Sequence, residues 1–221
     1  MPPDPPPPAM MGDRDYRSVI RTAAGAVGRE LAEDVDASDH STIHVHEAAR
    51  CLRRSYYDRT DPVEQEAAGF GEMVPGLLRR LGHGGEPAEY ETGDSRLRGR
   101  ADMISDDIVM IFRHADEMPE NPPAADILYL NACLWIYGKQ EGVVIYMGGG
   151  GESAFSLARD SSMFEELVRR SKVLSEMLDK KRTPIIEPSS ECQGCQYYGR
   201  CYTNRRHGKQ ASIARMLGVG E

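Results

Sequence analysis

The sequence predicts an α/β protein, with a mixed central sheet and helices packed around it. Three observations lead there. Apolar residues recur at helical spacing through the first third of the chain, and short β-branched or alternating runs take over after His83-Gly84-Gly85. Two further helical segments, one apolar and one amphipathic, interleave with those runs. At 221 residues, with 40% hydrophobic and 28% charged residues, the chain has material for one domain with a proper core and too little for two comfortable ones.

Met1 to Met10 reads MPPDPPPPAM, which is proline-rich and lacks the basic-then-apolar order of a signal peptide. Residues 1–14 are therefore expected to be a disordered tail, and 15–221 a single domain. Without an export signal the expected compartment is the reducing cytoplasm, where thiols serve more often as ligands than as bridges. No run approaches 18 uninterrupted apolar residues, which excludes a transmembrane helix. Tyr16, Val19, Ile20, Ala23, Val27 and Leu31 fall at helical spacing across Asp15 to Glu33, although Gly25 and Gly28 weaken that helix. A second helix is expected from His46 to about Tyr57, carrying Cys51 inward. A third is expected over Val63 to Leu81, broken or kinked near Pro75-Gly76. His44 and His46 share a side only in extended backbone, and capping or surface roles suit them better than metal ligation.

Glu86 to Glu91, Leu97 to Ile104 and Ile108 to Arg113 read as a meander, with Asp102 inside a strand and a tight Ser105-Asp106-Asp107 turn. Asn121-Pro122-Pro123 opens an apolar helix over 124–137, which holds Trp135 and Cys133, the latter as a packing residue. Gly142 to Met147 is a β-branched strand, turned by Gly148 to Gly151 into a partner over Glu152 to Leu157. No Lys-Ser or Lys-Thr follows the glycines, so a hairpin is expected rather than a phosphate loop. Ser162 with Glu165 reads as a capping box for an amphipathic helix with Met163, Leu167, Leu174 and Leu178 inside, ending at Lys180-Lys181-Arg182. A basic helix to about Leu217 follows the last cysteine, and no internal repeat is found.

Chemistry concentrates in the cysteines. Cys192, Cys195 and Cys201 are spaced C-x2-C-x5-C, and Cys51 stands alone far upstream. A short loop can aim two sulfurs at one centre, as a tetrahedral metal or an iron-sulfur cluster requires. Three cysteines within ten residues of a polar, glycine-containing segment do not look like core packing. On spacing alone, zinc and an iron-sulfur cluster stand equal. The net charge of -8 opposes bulk electrostatic coating of nucleic acid. Yet Arg50, Arg53, Arg54 and Arg59 cluster around Cys51, Arg96, Arg98 and Arg100 open a strand, and Arg205 and Arg206 follow Cys201. Solvated faces are the ordinary account of such runs, but three of them flanking the cysteines favour a phosphate-facing groove.

Taken in order, these motifs resemble a known family. Cys51-Leu52-Arg53-Arg54-Ser55-Tyr56-Tyr57, the strand Gly99-Arg100-Ala101-Asp102, an apolar strand, a helix, and C-x2-C-x5-C after a proline resemble the RecB-type PD-(D/E)XK exonucleases. Within them the Cas-four branch is the nearest likeness, with AddB and the nuclease part of the Dna-two helicases as relatives. The resemblance spans roughly residues 42–204. It implies a restriction-endonuclease-like mixed sheet flanked by helices, and a 4Fe-4S cluster on Cys51, Cys192, Cys195 and Cys201. Residues 186–204 would form the cluster loop joining the tail to the N-terminal helical segment. It further implies single-stranded or end DNA as a partner, met by Arg53, Arg54 and Arg100, and protein partners in a DNA-processing or CRISPR adaptation complex.

The nuclease motif departs from the family. Such an enzyme needs two or three oxygen or imidazole ligands for a divalent metal, and usually a lysine. Asp102 matches the family aspartate, a ligand for Mg2+ or Mn2+. Where the family has Glu-x-Lys, this chain reads Ile111-Phe112-Arg113, with Arg113 at the lysine position. Isoleucine binds no cation, and an arginine with a pKa above about 12 is no titratable group. Pro75 stands at the family histidine position, and Tyr129 to Cys133 replaces Gln-x-x-x-Tyr. The expectation is thus a DNA-binding or complex-forming protein without nuclease activity, its Asp102 vestigial and satisfied by Arg100 or Arg113. One rival is an active single-strand exonuclease, its missing ligand supplied by Asp106, Asp107, His114, Asp116 or Glu117. Another is a structural zinc protein that serves a protein partner.

Overall fold

The computed structural model describes residues 26–27, 35–63, 73–81, 83–93, 95–148 and 151–202. Among the described residues, two mixed sheets are formed, where the sequence predicted one. The first contains β1 (Thr42–His44), β2 (Ala88–Glu91) and β3 (Arg96–Gly99) in the order β1-β3-β2, β1 parallel and β2 antiparallel to β3. The second contains β4 (Met103–Ser105), β5 (Ile108–His114), β6 (Glu141–Gly148) and β7 (Gly151–Ala158) in sequence order. Its β5 and β6 are parallel and its outer pairs antiparallel.

The expected strand over Leu97 to Ile104 is split between the sheets, because side chains and a loop take its backbone groups at the crossing. The Arg100 carbonyl accepts the Tyr129 hydroxyl at 2.6 Å, and Ala101 N–H donates to the Tyr137 hydroxyl at 3.2 Å. The Ala101 carbonyl accepts Gly85 N–H at 3.1 Å. Asp102, in the crossing rather than inside a strand, accepts Phe112 N–H on its carboxylate at 2.9 Å. With these groups paired elsewhere, no ladder holds the chain straight.

Among the described residues, helices accompany the sheets as α1 (Val45–Ala49), α2 (Leu52–Thr60), α3 (Met73–Arg80), α4 (Ala124–Ile136), α5 (Ser161–Asp179) and α6 (Tyr198–Tyr202), and residues 26–27 are helical as well. The single helix expected over His46 to Tyr57 is broken at Arg50 and Cys51 into α1 and α2. A helix end leaves carbonyls without partners, and here side chains supply them. Arg170 on α5 donates to the Ala48 carbonyl at 2.7 Å and to the Arg50 carbonyl at 2.6 Å, and Ser55 donates to the Glu47 carbonyl at 2.8 Å. His44 caps α1, its N–H meeting Glu47 Oε2 at 2.9 Å, which agrees with the capping role expected of it. The cap of α5 is Asp160, which accepts Met163 N–H at 2.9 Å, rather than Ser162. That start turns Phe164 inward instead of Met163. The described part of α3 includes Pro75-Gly76 in unbroken helix, and residues 64–72 of the expected helix lie outside the described residues. The helices expected before Glu33, apart from 26–27, and after Cys201, apart from Tyr202, lie outside the described residues.

Two apolar cores result. One joins Ile43, Val45, Leu52, Tyr56, Leu97 and the inner face of α5, and the other packs Val109, Ile111 and Val144 under α4. Ala132 of α4 belongs to the first, while Leu130, Cys133 and Leu134 belong to the second. A helix packed on two sides has little need of a polar face, which accounts for its sequence. Cys133 is a buried packing residue, as expected. Gly142 lets α4 approach: a Cβ there would stand 2.7 Å from Leu130 Cδ1 and 2.9 Å from the Val109 carbonyl. None of the described helices is long and apolar enough to cross a membrane.

Candidate metal centre and acidic cleft

Cys51 lies in the break between α1 and α2, Cys192 in a 3-10 turn over Ser190–Gly194, Cys195 at the end of that turn, and Cys201 on α6. All four border a single cavity, together with Arg54, Tyr197 and Tyr202, and none is in a disulfide. Burial pushes the Cys201 thiol up, Arg53 pulls it down, and the thiols of Cys51, Cys195 and Cys192 push it up again, so the four groups sense one another. Ser189 N–H, 3.4 Å from Cys192 Sγ, holds that thiol below its ordinary value. Among the described residues, no group of three or more His, Cys, Asp or Glu side chains is arranged to hold a metal ion. The sulfurs border the cavity without forming a tight ion cage. The donor set is all thiol, which suits zinc or an iron-sulfur cluster in its chemistry.

Two struts fix the tail to the helical segment. The buried Tyr197 donates to Asp58 Oδ1 at 2.7 Å, while Arg50 pairs with the other Asp58 oxygen at 2.8 Å. Arg200 pairs with Asp61 at 2.7 Å and lies over the rings of Tyr57 and Tyr197. On the other side, Arg170 grips both Glu187 oxygens at 3.0 and 3.1 Å while holding the carbonyls of Ala48 and Arg50. Cys51 and Cys192 are thus each near an anchored backbone.

A separate cleft gathers around Arg113. Asp102 is 3% exposed, and its carboxylate lies 3.6 Å from Arg113 Nη1. Arg113 Nε donates to Asp126 Oδ1 at 2.7 Å, Nη1 donates to the Phe112 carbonyl at 2.9 Å, and the guanidinium rests 4.9 Å over the Tyr129 ring. The second Asp126 oxygen accepts the Tyr146 hydroxyl at 2.7 Å. Burial alone would lower the Arg113 pKa, but Asp126, Tyr129 and Asp102 outweigh it and hold the guanidinium above its ordinary value. Burial and the bond to Asp126 raise the Tyr146 phenol.

Ile111, at the position of the missing acid, is fully buried in the second core. Asp106, Asp107, His114, Asp116 and Glu117 are all exposed, and Asp107 pairs instead with Lys139 at 3.2 Å. Of the two arginines expected to satisfy Asp102, Arg113 does so, whereas Arg100 Nε donates to the Gly85 carbonyl at 3.1 Å. Asp126 was missed by sequence reasoning. Its signal was present, as the one charged residue within 124–137, though a lone acid in a first turn reads as a helix-dipole partner. Arg53 and Arg54 stand at the cysteine cavity on α2, while Arg100 stands at the crossing beside the acidic cleft.

No known protein family matches the chain, and no curated protein does. Among solved structures, the crystal structure of SSO0001 is similar at a TM-score of 0.61 and 19% identity, covering 83% of this chain and 96% of its own. An alkaline exonuclease from Laribacter hongkongensis gives a TM-score of 0.47 at 10% identity, covering 66% of this chain and 91% of its own. The first likeness shows a shared fold, and the second is too distant to add to it.

Proposed function

We propose that this chain is a single-domain iron-sulfur protein of the RecB-type, PD-(D/E)XK-like group that binds single-stranded or end DNA without cutting it. It would act in the cytoplasm within a DNA-processing complex of the CRISPR adaptation kind. The observation that carries the reading is the convergence of Cys51, Cys192, Cys195 and Cys201 on one cavity from segments about 140 residues apart. Four thiols around one cavity suit either a cluster or a zinc ion, and the likeness of the cysteine motif to the RecB-type group favours the cluster. When bound, the cluster would cross-link the two segments and remove chain entropy from the unfolded state. Four thiolates leave it no open position for a substrate, and the role assigned to it here is mechanical.

DNA binding is supported by Arg53 and Arg54, part-buried cations of α2 that stand beside the cysteine cavity. Guanidinium groups at the rim of a cavity are suited to phosphate oxygens. The absence of cutting is supported by the buried Ile111 and by Arg113, which stands between the acids.

The test is anaerobic purification followed by iron, sulfide and zinc analysis, with visible spectroscopy. Broad visible absorption with four irons per chain is expected. A colourless protein with one zinc would replace the cluster by the structural-zinc reading. Incubation with Mn2+ and labelled single-stranded DNA is expected to leave the DNA intact. Degradation that disappears in Asp102→Ala would establish the exonuclease instead.

A further inference from the structure

β7 ends the second sheet, and among the described residues no strand pairs with its outer side. Arg159 N–H, just beyond it, donates to the Gln140 carbonyl at 2.9 Å. Bonded and unbonded pairs alternate along an antiparallel ladder. With residues 140 and 159 bonded, the register of β6 and β7 makes Ser153, Phe155 and Leu157 the bonded residues of β7. The N–H and carbonyl groups of Glu152, Ala154, Ser156 and Ala158 therefore point away from β6, and all four residues are exposed. Edge strands are ordinarily guarded by a lysine, a proline, a bulge or a covering element. β7 contains neither lysine nor proline, and it pairs with β6 along its whole length without a bulge.

A groove of about 300 Å³ lies beside the same strand, lined by Ile108, Glu141, Val143, Ser156 and Ala158. Ile108, Glu141 and Ala158 stand opposite one another on β5, β6 and β7 and so share a face, on which Val143 and Ser156 form the next pair. Ile108 is 37% exposed, Glu141 is exposed, and Glu141 enters no ion pair among the described residues. A residue added beside Ala158 would face Glu141 across that small side chain, at two strand spacings or about 9.6 Å. Lysine or arginine spans that gap when the glutamate side chain comes to meet it. A residue added beside Ser156 would meet Val143 instead, where an apolar side chain fits.

We infer that the outer side of β7 and this groove form a docking site for an extended segment of a partner protein, which joins the sheet as a further strand and sets a Lys or Arg against Glu141. Main-chain hydrogen bonds to Glu152, Ala154, Ser156 and Ala158 hold the segment, and the groove selects its side chains. The net charge of -8 draws basic segments and repels a second copy of the chain. A second copy laid antiparallel about Phe155 would also put its Glu152 opposite Ala158, on the face of Glu141. The site shares no residue with the cysteine cavity or the acidic cleft, and it rests on neither the cluster nor DNA binding.

The experiment is fluorescence anisotropy of the full chain with a labelled, amidated peptide of alternating valine and threonine in which arginine replaces one central valine. Two further peptides carry glutamate in place of the arginine, or N-methyl groups on the arginine and the valines. The arginine peptide is expected to bind wild type, the glutamate peptide about 10-fold more weakly, and the N-methylated peptide not at all. Glu141→Gln should remove most of the preference for arginine. Ser156→Pro should abolish binding and still fold, because the N–H it removes takes no part in the ladder with β6.

The inference is overturned if the arginine peptide does not bind wild type, or if the glutamate or N-methylated peptide binds equally well. It is equally overturned if Ser156→Pro, folded by circular dichroism, binds undiminished; should that variant not fold, the N-methylated peptide decides the same point. Sedimentation showing a wild-type dimer that excludes the peptide would assign the edge to a second copy and overturn the inference. Absence of the cluster or of DNA binding would sink the functional reading and leave this one standing.

Discussion

The Tyr197 hydroxyl donates to the Asp58 carboxylate at 2.7 Å from a fully buried ring, and through that bond the cysteine-bearing tail is fastened to α2. Hydrogen bonds to charged groups contribute about 1.5–3 kcal/mol. Tyr197→Phe is expected to lose that amount in urea unfolding and to lower the metal retained after purification. A change under about 0.5 kcal/mol would mean that ring packing alone holds the tail.

Glu47 and Arg59 form a second buried pair, 2.6 Å apart, with each side chain 2% exposed. Arg59 also donates to the carbonyls of Asp39 at 2.6 Å and Thr42 at 2.8 Å, binding α2 to the approach to β1. Removing one partner strands the other charge, so Arg59→Ala should destabilise by about 3–5 kcal/mol in urea unfolding.

The same pair sets an acid dependence. Burial pushes the Glu47 carboxyl up, but the hydrogen bond and charge of Arg59 bring it below its ordinary 4.5. With the folded pKa depressed, the contribution is fully present above 4.5 and is lost as the pH falls through the folded value. Unfolding free energies measured down the acid limb should therefore fall less steeply in Glu47→Gln than in wild type. Parallel limbs would remove Glu47 from the account.

Among the cysteines, replacement by Ser of Cys51, Cys192, Cys195 or Cys201 is expected to abolish bound metal. Cys133→Ala should keep it and cost about 1 kcal/mol through poorer packing. Metal-to-protein ratios decide this directly, and full metal content in Cys51→Ser would remove the upstream sulfur from the centre.

For DNA, Arg53→Glu combined with Arg54→Glu should weaken binding and flatten its salt dependence, by about 0.7 in slope for each phosphate of a single strand that is no longer neutralised. Arg100→Glu, tested separately, reports on the acidic cleft. Anisotropy titrations across salt concentrations provide the readout. Unchanged affinity in both proteins would shift the role to a protein partner.

Much of this fold was legible because its signals are local. The alternation in Ile108 to Arg113 and the β-branched run before Gly148 gave strands that the structure extends by only a residue or so at either end. The breaks were not legible, because distant residues cause them. Nothing near Arg50-Cys51 announces that Arg170 will take its carbonyls, and nothing near Arg100 announces the hydroxyls of Tyr129 and Tyr137. The three tail cysteines stood out by their spacing and Cys51 through the family resemblance, and all four border one cavity, whereas Asp126 emerged only once α4 was laid against β5.

The cavity between α2 and the tail also has a consequence for how the protein is made. Cys51 leaves the ribosome about 140 residues ahead of Cys192, and the carbonyl beside it waits nearly as long for Arg170. A nascent chain must shelter a lone thiol until the segment carrying Cys192 is translated. Any interrupted product lacking that segment would carry an exposed sulfur and an unclosed helix end, a mark by which a quality-control protease could tell it from the finished molecule.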